Sequence, residues 1–121
     1  MSFTNFVSVD GNLTRDAEIR YSSSGTAFAS FAIAHNRKVK DRDEVHFLDV
    51  TVIGKHAEMI SERLRKGTAV LVVGRLRQQR WEDDRGGKRS KVEIVASQVM
   101  FNGTPLKGDV LPDDIPDIDP F

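Results

Sequence analysis

Trp81 is the sole tryptophan of the chain. It closes a run in which Arg75, Arg77, Gln79 and Trp81 recur at every second position, which on a β-strand puts all four on one face. A π-face beside guanidinium groups makes poor core material. It suits a ligand built of flat rings joined by phosphates, because each ring can stack for about 1–3 kcal/mol and each phosphate can be met by a cation. Phe47 is the second candidate platform: Leu48, Val50 and Val52 take the apolar parity of its segment, and Phe47 shares the other with Asp49, Thr51 and Ile53. Arg37, Lys38, Lys55, Lys66, Arg77, Arg80, Arg85 and Lys88 are the cations that could line a phosphate path. A lone Trp in a small β domain more often packs in the core or rim, and single surface cations more often only solvate. The shared parity and the number of cations favour the binding reading.

Other chemistries fail on spacing. Ile53-Gly54-Lys55-His56 lacks the upstream glycine and the following Ser or Thr of GxxxxGK[ST], so nucleotide hydrolysis is not expected. His35, His46 and His56 show no metal-ligand spacing, and neither HExxH nor GxSxG occurs. Asp83-Asp84 falls in an expected hairpin and Asp113-Asp114 in an expected flexible segment, and neither setting holds carboxylates rigidly enough for acid–base work. With no cysteine, disulfides, thiolate zinc sites and a cysteine nucleophile are excluded. The expectation is a protein that is not an enzyme and needs no metal or cofactor.

The elements that must position these residues are mostly strands. Short runs of Val, Ile, Phe and Thr between turn residues predict a first strand over Phe6 to Leu13. It resumes after a bend at Thr14-Arg15-Asp16 through Ala17 to Tyr21. A second strand spans Thr26 to Asn36. Arg37 to Glu44 has no apolar period and reads as an exposed loop into a third strand, Val45 to Ile53. Ala57, Ile60 and Leu64 recur at helical spacing within Lys55 to Arg65, and Gly67 can end that helix. A long strand, Thr68 to Trp81, meets a hairpin turn at Glu82 to Gly87 and returns as Ser90 to Ala96, with a last short strand at Gln98 to Phe101. Five strands with one short helix between the third and fourth is the element order of the OB-fold, an all-β, partly open Greek-key barrel that commonly binds oligonucleotides.

The chain of 121 residues suits one domain. No apolar stretch is long enough for a membrane span, and Met1 to Asn5 lacks the features of a signal peptide, so a cytosolic, nucleoid-associated place is expected. Net charge is zero overall, but residues 1–101 hold 17 Lys and Arg against 13 Asp and Glu, while the remainder holds one Lys and five Asp. A basic body with an acidic tail often marks a nucleic-acid binder with an interaction segment. The expected organisation is a barrel over 1–101, a Pro- and Gly-containing linker over 102–112, and an acidic tail over 113–121, disordered when free.

These residues also carry a family resemblance. Gly11-Asn12-Leu13, Asp16-Ala17-Glu18-Ile19-Arg20-Tyr21, Phe31-Ala32-Ile33-Ala34, Val52-Ile53-Gly54-Lys55, Leu64-Arg65-Lys66-Gly67 and Gly74-Arg75-Leu76-Arg77 form an ordered set, with Arg80-Trp81 near a hairpin and Pro120-Phe121 beyond it. Over essentially its whole length the sequence resembles bacterial-type single-stranded-DNA-binding proteins. The resemblance implies an OB-fold, usually a homotetramer, tight binding of single strands with little sequence preference, and roles in DNA replication, recombination and repair. It places Trp81 and Phe47 where family members stack bases, with Lys55, Lys66, Arg77 and Arg80 at basic positions.

Three features depart from the family pattern. Val39 and Ile53 stand where some relatives have aromatics, which predicts fewer platforms. The linker, at about 3.3–3.6 Å per residue, reaches only some 35 Å, so tail partners must dock close to the barrel. In the tail, Asp113-Asp114-Ile115-Pro116 resembles the family's terminal motif but is followed by Asp117-Ile118-Asp119-Pro120-Phe121, with Asp119 where relatives put Ile. Phe121 still offers a ring, and a terminal carboxylate, to a basic-rimmed apolar pocket on a partner protein, and the acidic run adds steering. The rival readings are a primosome-type OB-fold accessory protein, an RNA-binding OB module and a nuclease. The acidic Phe-ended tail, the specific motifs and the missing carboxylate cluster argue against them in turn.

Overall fold

The computed structural model describes residues 4–101. Its strands are β1 (Val7–Leu13), β2 (Glu18–Tyr21), β3 (Ala27–Val39), β4 (Arg42–Ile53), β5 (Ala69–Glu82) and β6 (Lys88–Phe101), with helix α1 (Lys55–Ile60) and a 3-10 turn (Ser61–Arg63) between β4 and β5. The sheet order is β1-β5-β6-β4-β3-β2. β1 also pairs with β3 through Asn12↔Ala34 and Leu13↔Ile33, which closes five strands into a barrel and leaves β2 as a flap on β3. Closure needs a close approach at Gly11, where a Cβ would lie 2.6 Å from the Ala34 carbonyl oxygen. The all-β OB-type barrel with one short helix is thus the observed architecture.

Alternation builds the core. Ala29, Phe31 and Ile33 of β3, Val50 and Val52 of β4, Val70 and Val72 of β5, and Ile94 of β6 all point inward and are buried. Each large one contributes about 1.5–3 kcal/mol relative to exposure. Ala57 and Ile60 of α1, with Leu64 just beyond it, join that core from one end of the barrel. The helix is shorter than its spacing predicts, because the chain tightens into 3-10 geometry at Ser61 and turns at Leu64.

Two expectations are corrected. Arg37 to Glu44 is not a loop: β3 runs to Val39, β4 starts at Arg42, and Lys40-Asp41 alone make the turn, with Lys40 at φ 56°. Opposite charges stand in register there, Arg37↔Glu44 and Lys38↔Asp43. Cross-strand charge pairing supports a ribbon that buries neither face. The two short strands expected at Ser90–Ala96 and Gln98–Phe101 are one strand, because Ser97 is the extra residue of a bulge opposite Val73 and Gly74. The Ser97 hydroxyl donates to the Val73 carbonyl at 3.2 Å, and a Cβ on Gly74 would meet the Val95 carbonyl oxygen at 2.1 Å.

Candidate nucleic-acid interface

β4 and β6 run parallel but pair only over Val50↔Ile94, Thr51↔Val95 and Val52↔Ala96. Beyond that point the sheet forks. The β3–β4 ribbon continues to its turn at Lys40-Asp41, and the β5–β6 ribbon to its turn at Asp83 to Gly87. On the outer face Phe47 rides the first ribbon and Trp81 the second, four residues out along their strands from Thr51 and Arg77 respectively. Phe47 is 70% exposed and Trp81 47%. Neither is a core residue.

Strand register sorts the expected cations. Lys38, four cross-strand pairs beyond Phe47, and Arg77 share the outer face with both aromatics. Arg37, Arg80 and Lys88 have the opposite parity and take the reverse side of the ribbons, with Arg80 Nη2 donating to Gln78 Oε1 at 2.9 Å. Arg85 occupies the β5–β6 turn, and Lys55 begins α1. Lys66 lies at the opposite end of β5 from Trp81, its backbone N–H donating to Asp16 Oδ1 at 2.8 Å. That bond, helped by Arg65, holds the Asp16 carboxyl below its ordinary value despite some desolvation.

Register also adds cations that sequence reasoning missed. Arg89 stands opposite Trp81, and Lys91 opposite Gln79, on the same face. Their signal was present in the expected hairpin: reflecting β5 through the Gly86-Gly87 turn puts both beside the Trp81 row. A hollow of about 470 Å³ at this end is lined by Arg80, Trp81, Glu82, Lys88, Arg89 and Ser90. Val39 lies on the reverse face and Ile53 on the outer face opposite Phe28, so neither restores an aromatic beside Phe47.

At the root of the fork sits a polar cluster that also went unread. Glu93 is only 3% exposed. Thr51 Oγ1 donates to its Oε1 at 2.7 Å, while Arg77 Nε, at 2.9 Å, and Gln79 Nε2, at 2.8 Å, donate to its Oε2, joined by Arg77 Nη2. Burial alone would raise the Glu93 carboxyl; the hydrogen bonds from Arg77 and Thr51 and the Arg77 charge outweigh it and hold it below the ordinary glutamate value. The cluster floors a depression of about 340 Å³ whose walls include Arg20, Phe28, Asp49 and Lys91. Its face could be read from parity, but parity does not say which strands are neighbours.

The histidines fall elsewhere. His35 and His46 stack across β3–β4 at 6.4 Å between ring centroids, with His35 Nδ1 2.8 Å from the Asp10 carbonyl. Among the described residues no group of three or more His, Asp or Glu is arranged to hold a metal. The expected tail residues Asp113, Asp114, Asp117, Ile118, Asp119, Pro120 and Phe121, and the linker before them, lie outside the described residues.

Comparison with known proteins agrees with this geometry. The sequence profile of the single-strand binding protein family matches residues 4–102. The chain belongs to that family. The single-stranded DNA-binding protein of Treponema pallidum is 46% identical over 112 residues, 89% of this chain and 63% of that protein. That of Aquifex aeolicus is 39% identical over 97% of this chain and 82% of its own length. The chain thus spans less than two thirds of the Treponema protein. A Plasmodium falciparum single-strand binding protein, solved in complex with single-stranded DNA, shares the fold at a TM-score of 0.77, with 22% identity over 84% of this chain and 97% of that one. Membership places the chain among binding proteins, not enzymes. Among the described residues, no helix is long and apolar enough to cross a membrane.

Proposed function

We propose that the chain binds and protects single-stranded DNA with little sequence preference, in replication, recombination and repair. The observation that carries this is the pair of exposed aromatics, Phe47 and Trp81, on one sheet face at the two arms of a fork, with Arg89 and Lys91 beside Trp81 and Lys38 farther out on the arm of Phe47. Stacking on these rings accepts any base, and the cations meet the intervening phosphates. Lys55, Lys66, Arg80, Arg85 and Lys88 extend the positive surface around the edges of the barrel, and Arg37 and Lys38 do so along the β3–β4 ribbon. The relatives' name, single-stranded DNA-binding protein, supports the same ligand.

Titration with unlabelled oligo-dT, followed by Trp81 fluorescence over a salt series, tests this. The expected result is strong quenching by single strands, a weak response to duplex of equal length, and a log-log salt slope near −0.7 per phosphate neutralised. Equal response to duplex, or no quenching, would overturn the reading.

The tail 113–121 is proposed to recruit replication, recombination and repair proteins and to compete weakly with DNA for the basic surface, in a cytoplasmic homotetramer. The separation of charge supports this: the body carries a formal +4 and the segment after it −4, from the 17 against 13 and one against five charges counted above. Removing residues 113–121 is expected to abolish partner binding while DNA affinity at low salt stays equal or tightens. Weaker DNA binding by the truncated protein would sink the competition.

A further inference from the structure

Arg77 shares a face with Trp81 and Phe47, which alone would make it a phosphate ligand. Its surroundings assign it differently. Both Nε and Nη2 turn inward to one oxygen of Glu93, a carboxylate that is 3% exposed. A buried carboxylate without its cation is strongly unfavourable, so Arg77 is committed to Glu93 before any ligand arrives. An arginine so paired has almost no net charge to offer and displaces no counterion when a phosphate approaches.

The same carboxylate ties three strands together. Thr51 reaches Glu93 from β4, Arg77 and Gln79 reach it from β5, and Glu93 belongs to β6. These bonds lie where β4–β6 backbone pairing stops, since Val50↔Ile94 is its last pair toward the fork. Phe47 and Trp81 each stand four residues out from the cluster, roughly 13 Å along a strand. A small change of angle at the root is therefore magnified at the two rings.

We propose that Glu93 is a positioning residue of the interface: it holds Arg77, Gln79 and Thr51 as one charge-neutral clamp at the root of the fork, so that Arg77 shapes the site without neutralising a phosphate. The inference rests on the single-strand binding proposed above. Its ligand class is the same, but it divides the cations into structural and phosphate-facing ones, with Lys91 and Lys38 in the second group and Arg89 between the two, since its partner Asp83 is only partly buried.

The test uses the full chain, oligo-dT and the Trp81 signal across a salt series. Wild-type protein must first be quenched; if it is not, the proposed function fails and not the clamp. Glu93→Gln releases the Arg77 charge, and its salt slope is expected to steepen by about 0.7, a further loss of about 2.6-fold over a fourfold rise in salt. Maximal quenching should fall in Glu93→Gln because the clamp is broken, and adding Arg77→Gln should return the slope to the wild-type value while quenching stays reduced. Should Glu93→Gln alone not fold by circular dichroism, the double variant decides, since it leaves no unpaired charge in the cluster. A double variant with a slope about 0.7 shallower than wild type would show that Arg77 does neutralise a phosphate. That result, or a slope unmoved in a folded Glu93→Gln protein, overturns the proposal.

Discussion

The two ribbons that leave the fork carry one aromatic platform each, yet they are built differently. In the β5–β6 arm a single carboxylate organises the turn: Asp83 Oδ1 accepts from the Arg85 N–H at 3.0 Å and the Gly87 N–H at 2.8 Å, and Oδ2 accepts from Arg89 Nε at 3.0 Å. Arg89 is thereby oriented on the strand opposite Trp81. In the β3–β4 arm the turn rests on Lys40 at φ 56°, a left-handed conformation that glycine adopts more readily. Phe47 projects further into solvent than Trp81. One arm presents a platform already arranged beside a cation. On the proposed reading, the more exposed Phe47 ring loses more side-chain entropy when a base stacks on it.

The sharpest way to break this comparison is to remove each ring in turn. Trp81→Ala is expected to weaken oligo-dT binding toward the upper end of the stacking range, about 3 kcal/mol, or roughly a hundredfold. Phe47→Ala should lie near the lower end, about 1 kcal/mol, or roughly fivefold. Because the first substitution removes the fluorophore, both are compared by anisotropy of a labelled oligonucleotide at one salt concentration. Equal losses would mean that preorganisation does not separate the arms. A larger loss at Phe47 would reverse their roles.

The contrast also explains what the sequence could and could not disclose. The barrel was legible because burial leaves a period: Val50 and Val52, Val70 and Val72, and Ala57, Ile60 and Leu64 repeat at the spacing of their elements. The outward placing of Phe47 and Trp81 follows from the same alternation. Arg37 to Glu44, the outer part of the β3–β4 arm, reads as a loop in the sequence because neither face is buried there, so no apolar period exists and only the register of Arg37 with Glu44 and Lys38 with Asp43 marks it. Ser97 looked like a break between strands because a bulge residue carries no pairing signal of its own. Glu93 was invisible for another reason. Its partners come from β4 and β5, and nothing in one strand's parity tells which strand becomes its neighbour.

The smallest expected effect would sharpen the account of the ordered arm. The Asp83 carboxyl is held below its ordinary value by the N–H groups of Gly87 and Arg85, then by Arg89. A carboxyl depressed in the folded state gives stabilisation that is present above its unfolded value, near 3.8, and is lost as pH falls through the lower folded value. Glu93, also depressed, acts with the same sign below about 4.5. Protection of the Gly87 and Arg85 amides, taken as exchange relative to the intrinsic rate at each pH, should therefore persist at pH 4 and be lost only in stronger acid, whereas in Asp83→Ala it should be lost at every pH. With Arg89 no longer oriented beside Trp81, that variant should bind oligo-dT about twofold more weakly. Unchanged exchange and affinity would mean that the backbone alone shapes the turn, and the difference between the arms would then reduce to the size of their two rings.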